Sequence, residues 1–275
     1  MLKELYYGEL ASRGIRERLE GLGMLIGLDL VELRPTKFPT SFQVPVEIHD
    51  PAYEALQQTL DDGRERHLEY NYGENAWRVD VEVGPKELAP GGYRRSRSLP
   101  SNIYHSTFKR PLISLHTHPR VSDEDINSFI SRHHPESATW SNLELKNLRR
   151  KYRLARDIGS AFPSHEDVKV AHARFPKELV QMLYTPFSSF MMVRNNLSGK
   201  RQGKHSVEWI LEHRETRRQY LNTMINVANN PTASNSRERL LNALSVALGE
   251  EYSLFYSLAT PIETKAPILT AHSND

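Results

Sequence analysis

His116 and His118 stand two residues apart at the end of the apolar run Leu112-Ile-Ser-Leu-His-Thr-His, and Pro119 follows them. Side chains on a strand alternate between faces, so residues i and i+2 share one face. Two imidazoles on one face can each offer a nitrogen to a single zinc ion at about 2.0–2.1 Å. A third protein ligand must come from elsewhere, and Pro163-Ser-His-Glu-Asp167 provides a candidate. Ser-x-x-Asp ahead of a helix is a capping signature, in which the hydroxyl accepts a backbone N–H. The cap fixes the helix start, so Asp167 in the first turn is aimed rigidly at its surroundings. Ser122-Asp-Glu-Asp125 is a second tetrad of the same form.

Three protein ligands leave zinc one open position, where the pKa of water falls to about 7. Amide hydrolysis there also requires a carboxylate that takes a proton and returns it to the leaving amine. Glu65 and Glu69, at the mouth of an expected hairpin, are the candidates.

Composition narrows the field. The chain has 275 residues, no cysteine and a formal net charge of +2. Disulfides, thiolate zinc sites and Cys nucleophiles are excluded, so any metal is held by His, Asp and Glu. No apolar run approaches the roughly 18 residues of a membrane span. The apolar stretch at 21–28 lies behind Lys3, Glu4, Glu9 and Arg13 and does not read as a signal peptide. A cytoplasmic location is the expectation. The basic runs at 146–156 and 94–97 could track phosphates. The near-neutral total charge instead favours solvated helix faces and argues against a nucleic-acid partner.

The positioning elements follow from periodicity. The spacing gives a loose helix at 5–22, a short strand near Leu28, Leu30 and Val31, and a Pro-rich loop over 35–45. Asp50 and Pro51 open an expected helix over 51–62 that Gly63 can end. Alternation at Leu68, Tyr70 and Tyr72, then at Trp77, Val79, Val81 and Val83, reads as a hairpin. Residues 84–105 read as loop, 111–118 as a buried strand, 122–157 as polar helices, 166–184 as a helix and 187–194 as a strand. From 206 onward, 207–227 and 237–258 read as helices. Their apolar residues either pack on the core, the preferred reading, or offer a surface to a protein partner.

Together these pieces resemble the JAMM metalloprotease family, the MPN-type domain. That family has a Glu at a helix-to-strand junction, His-Ser/Thr-His-Pro at a strand end, and Ser-x-x-Asp opening a helix. Leu115-His-Thr-His-Pro119 matches the second element and Phe162-Pro-Ser-His-Glu-Asp167 the third. The resemblance covers about residues 46–196. It implies an α/β (α+β) fold: a mixed MPN-like sheet flanked by helices, with a C-terminal helical element. The implied organisation is an N-terminal segment at 1–45, the metalloprotease-like domain at 46–204 and a helical region at 205–275. The resemblance also implies Zn2+ on His116, His118 and Asp167, with Ser164 holding the tetrahedral intermediate and a Glu as acid/base. Its implied substrate is a peptide or isopeptide bond, including those to ubiquitin-like tails. The 45 residues from 119 to 163 exceed the family spacing and read as a helical insertion at about 120–160. Asp167 is preferred to Asp125, because the three residues 119–121 are too few to turn the chain back to the strand end. Glu65, at the junction itself, is preferred to Glu69, which lies inside the strand. Two other readings stand beside this one. A PHP-type phosphoesterase or amidohydrolase also places His-x-His at the end of its first strand, and an MPN-like scaffold would have no catalysis.

Overall fold

A computed structural model describes residues 13–27, 38–73, 76–83, 86–89, 93–96, 112–120, 122–174, 179–195, 207–230 and 234–272. An eight-stranded mixed sheet organises them. Its order is β1 (Ser41–Gln43), β10 (Ile268–Ala271), β9 (Tyr252–Ser257), β8 (Ser189–Arg194), β7 (Val180–Tyr184), β6 (Ile113–Thr117), β2 (Arg66–Gly73) and β3 (Ala76–Val83). Only β6 and β7 run parallel; every other neighbouring pair is antiparallel. Among the described residues the sheet is open, with β1 and β3 at its edges. Strands β4 (Lys86–Ala89) and β5 (Tyr93–Ser96) pair separately, inside the stretch read as loop.

Each face of the sheet has its own core. Helices α1 (Arg13–Ile26) and α2 (Val46–Asp62) place Leu22, Leu25, Ile48 and Leu56 against Leu68, Leu115, Met182 and Met191. On the other face, Phe162, Val168, Leu183, Phe190 and Met192 pack with residues of three further helices. These are α5 (His165–Arg174), α6 (Val207–Asn229) and α7 (Ser236–Leu248). The alternation along β7 and β8 is therefore between two buried faces rather than between core and water.

Parallel strands need a long crossover. From β6 to β7 it consists of α3 (Asp123–His133), a 3-10 turn at Pro135–Thr139, α4 (Asn142–Ser160) and α5. The expected helical insertion thus forms the first part of this crossover. Ser141 and Glu144 make a capping box that starts α4. His134 Nε2 lies 2.9 Å from the Tyr152 hydroxyl, and Arg149 donates to Asn127 at 2.8 Å, which pins α4 to α3. Arg153 also pairs with Asp123. The basic run at 146–156 is largely an exposed face of α4. The side chains of Arg94 and Arg95, and Arg97 entirely, lie outside the described residues.

Several elements differ from expectation. Helix α2 begins at Val46 after Pro45, so Asp50 is not its cap and Pro51 lies inside it. It does end at Gly63, whose φ of +71° is the left-handed conformation of a C-cap. The helix expected over 166–184 stops at Arg174, and Val180–Tyr184 is a central strand. Buried on both faces, Val-Gln-Met-Leu-Tyr carries no polar alternation to mark it. The helix expected over 237–258 stops at Leu248, and Tyr252–Ser257 is β9. The C-terminal region is therefore not wholly helical, since β9 and β10 extend the main sheet. Ser41–Gln43, read as loop, is an edge strand. The expected strand near Leu28, Leu30 and Val31 lies outside the described residues. Leu240, Leu241, Leu244 and Leu248 are buried in the second core, in line with the preferred packing of α7.

Candidate metal centre

The site lies at the end of β6, on the face covered by α5, α6 and α7. Ile113 and Leu115 point into the α1–α2 core, so His116 takes the opposite face. Thr117 points back into the first core and is fully buried there. Its hydroxyl lies 2.6 Å from that of Thr59 in α2 and accepts the Arg66 N–H at 3.0 Å. The middle residue of His-Thr-His therefore anchors the strand end to α2 and β2.

His116 and His118 face each other with ring centroids 5.1 Å apart. Asp167 meets both: Oδ1 lies 3.2 Å from His116 Nε2, and Oδ2 lies 3.6 Å from His118 Nε2. Nitrogens about 2.0–2.1 Å from a tetrahedral zinc stand about 3.3 Å apart. The two Asp–His separations are close to that spacing, and the three ligand atoms all fall within 4.8 Å of one another.

Asp167 and His118 are each held from behind. Ser164 and Asp167 form a reciprocal cap at the start of α5. Ser164 Oγ accepts the Asp167 N–H at 3.2 Å, and Asp167 Oδ2 accepts the Ser164 N–H at 2.5 Å. His118 Nδ1 lies 3.3 Å from the Ser160 carbonyl. A carbonyl only accepts, so Nδ1 carries a hydrogen, and once the ring is neutral its lone pair is left on Nε2. His116 Nε2 is buried beside the Asp167 carboxylate. The donor set of two imidazoles and a carboxylate suits zinc.

The electrostatics agree with that set. Burial lowers the pKa of His118, but the Asp167 carboxylate outweighs it, Glu65 adds to the effect, and the value rises to about 8. Burial raises that of Asp167, but the two imidazoles hold it well below the usual carboxylate range.

The two candidate bases separate clearly. Glu65 lies at the α2–β2 junction, near enough for its charge to raise the pKa of His118. The junction is clamped by Arg66, whose guanidinium donates to both Asp62 oxygens at 3.0 and 2.9 Å and to the Arg64 carbonyl at 2.9 Å. Glu69 is set back along β2, opposite Ser114, buried and 3.5 Å from His67 Nε2. Of the rival tetrad, Ser122 is exposed and Asp125 lies in α3, with its side chain outside the described residues.

Sequence reasoning missed Tyr220 of α6. Fully buried, it donates to the Pro163 carbonyl at 2.5 Å, one residue before the Ser164 cap. A second group, His172, His213 and Glu251, also brings three ligand atoms within 4.8 Å of one another. Its members sit on three elements, with no spacing to mark them.

Comparison with protein-family models, with curated proteins and with solved structures gives no match. No helix among the described residues is long and apolar enough to cross a membrane.

Proposed function

We propose that this protein is a zinc-dependent hydrolase of amide bonds, with a JAMM-like arrangement of His116, His118, Asp167, Ser164 and Glu65. The observation that carries this reading is the meeting of Asp167 with both histidines at 3.2 and 3.6 Å, although 45 residues separate His118 from Ser164. Bound by His116, His118 and Asp167, zinc would supply Lewis acidity, which activates water and polarises a carbonyl.

The chain's own groups do the rest. Glu65, on a junction that Arg66 immobilises, takes the proton from water and delivers it to the departing amine. The oxygen of the Ser164 hydroxyl is engaged by the Asp167 N–H, so its hydrogen is the one turned to a developing oxyanion. Asp167 and the Ser160 carbonyl fix the two rings. The substrate class is a peptide or isopeptide bond of a protein, ubiquitin-like tails included.

The test incubates the zinc-loaded chain with linear peptides, isopeptide-linked conjugates and phosphate esters. Amide cleavage that Glu65→Gln abolishes while zinc is retained supports the proposal. Cleavage of phosphate esters alone would replace it with the phosphoesterase reading. Retained zinc with no cleavage of any substrate would leave the scaffold reading.

A further inference from the structure

The second cluster lies at the far end of α5 from Asp167. His172 comes from α5 and His213 from α6. Glu251 comes from the 3-10 turn Gly249–Glu251 that links α7 to β9. The two histidines are buried, and the Glu251 side chain is mostly so. His213 Nε2 and Glu251 Oε2 are 3.1 Å apart, and the two rings stand edge to face with centroids 4.5 Å apart. All three residues place a ligand atom within 4.8 Å of the others. The His213–Glu251 separation is close to the spacing of about 3.3 Å that ligands of a tetrahedral zinc keep.

Two features show how the surroundings are arranged. His172 Nε2 lies 3.4 Å from the Leu248 carbonyl. A carbonyl partner makes Nε2 the protonated nitrogen and puts the ring's lone pair on Nδ1, as carbonyls do behind metal-ligating histidines. The second feature is Gly249, with φ of +65°. A Cβ there would stand 2.7 Å from Glu251 Oε2 and 3.4 Å from His213 Nε2. Only glycine both adopts this turn and leaves the carboxylate its place. The turn is held in turn by β8, whose end at Asn195 donates to the carbonyls of Glu251 and Glu250, both at 2.8 Å.

We propose that His172, His213 and Glu251 bind a second divalent transition ion, zinc, which clips α5 to α6 and to the end of α7. Imidazole and carboxylate donors suit zinc, and also suit nickel and copper where those are supplied. The role is structural. The clip secures the helix whose first turn carries Asp167 to the helix that carries Tyr220, and it takes no part in amide cleavage.

The experiment counts zinc on the full chain by native mass spectrometry, after chelator treatment and re-addition of zinc alone. Two ions are expected on the wild type and one on Asp167→Asn, in which the second cluster is untouched. Glu251→Gln keeps the side chain's shape and is expected to retain one ion, and the double variant none. The affinity lost at the second site should exceed the roughly 10–100-fold that an outer hydrogen-bonding partner contributes. One ion on the wild type and none on Asp167→Asn would overturn the second site and leave the proposed hydrolase intact. One ion on the wild type, lost in Glu251→Gln but kept in Asp167→Asn, would establish the clip and defeat the hydrolase reading. Because Asp167→Asn tests the cluster without altering it, a Glu251→Gln chain that fails to fold does not remove the test.

Discussion

The Tyr220 hydroxyl donates to the Pro163 carbonyl across 2.5 Å, and this bond ties α6 to the turn that aims Asp167. Burial raises the phenol's pKa well above its usual value, and the charge of Asp167 adds to the effect, so the donor keeps its proton. Tyr220→Phe removes the donor without changing the ring and leaves the carbonyl buried and unsatisfied. The expected cost is about 1–3 kcal/mol in denaturant unfolding. Zinc affinity at the His116 site should also fall, by roughly 10–100-fold, as when an outer partner of a ligand is lost. A variant with unchanged affinity would show that the Pro163 turn does not need α6.

Asp167→Asn should remove the ion held with His116 and His118, because the amide is a poor ligand and cannot balance two imidazoles. Asp125→Asn should leave zinc content unchanged. Metal analysis of the two purified variants decides between them. The opposite pattern would make Asp125 the ligand and the α5 carboxylate only a helix cap.

The histidine pair was legible because three signals coincide: an apolar run, period-two spacing and a terminating proline. Asp167 was legible from its own tetrad as a cap, and as a neighbour of the histidines only through the family resemblance. Its return to the strand end depends on the β6–β7 crossover, which no local pattern encodes. The strand Val180–Tyr184 reads as part of the helix before it because burial on both faces removes alternation. Strand β9 reads as a continuation of α7 because apolar residues run on past Leu248, and the stop is set by the positive φ of Gly249. Tyr220, His172 and His213 each sit singly on a helix. Their meaning comes only from partners 57, 76 and 38 positions away.

Glu65→Gln should retain zinc and lower kcat by about 10²–10⁴-fold, the usual contribution of a positioned general base. Glu69→Gln should leave kcat near wild type. It would instead weaken a buried contact to His67, costing on the order of 1–3 kcal/mol of stability. A dead Glu69→Gln beside an active Glu65→Gln would transfer the base role to the buried carboxylate. A second readout does not need turnover. Since the charge of Glu65 helps raise the pKa of His118, Glu65→Gln should lower that pKa in the metal-free protein, as followed by NMR.

Ser164 combines two roles that a pair of substitutions can separate. Ser164→Ala loses the helix cap, worth about 1 kcal/mol, together with the hydroxyl. Ser164→Gly costs only a few tenths of a kcal/mol of capping, so it reports chiefly on the hydroxyl. If the hydroxyl donates to the oxyanion, both variants should slow turnover to a similar degree, by about 10²–10³-fold, as when one oxyanion donor is lost. If Ser164→Gly retains wild-type kcat, the residue serves only to start α5.

Zinc uptake should compete with a proton on His118. In the metal-free protein its pKa, raised from 6.5 to about 8, leaves the ring protonated at neutral pH, paired with Asp167. A ligating imidazole must be neutral, so binding expels that proton. Apparent zinc affinity should therefore rise about tenfold per pH unit as pH increases toward 8, and flatten above it. Stability of the metal-free chain should move the opposite way. A raised folded-state pKa stabilises fully below the unfolded value of 6.5, and that contribution is lost as pH climbs through 8. Calorimetric zinc titrations and urea unfolding between pH 6 and 9 measure the two slopes. Opposite slopes place His118 between proton and metal, whereas a flat affinity profile would remove it from the ligand set.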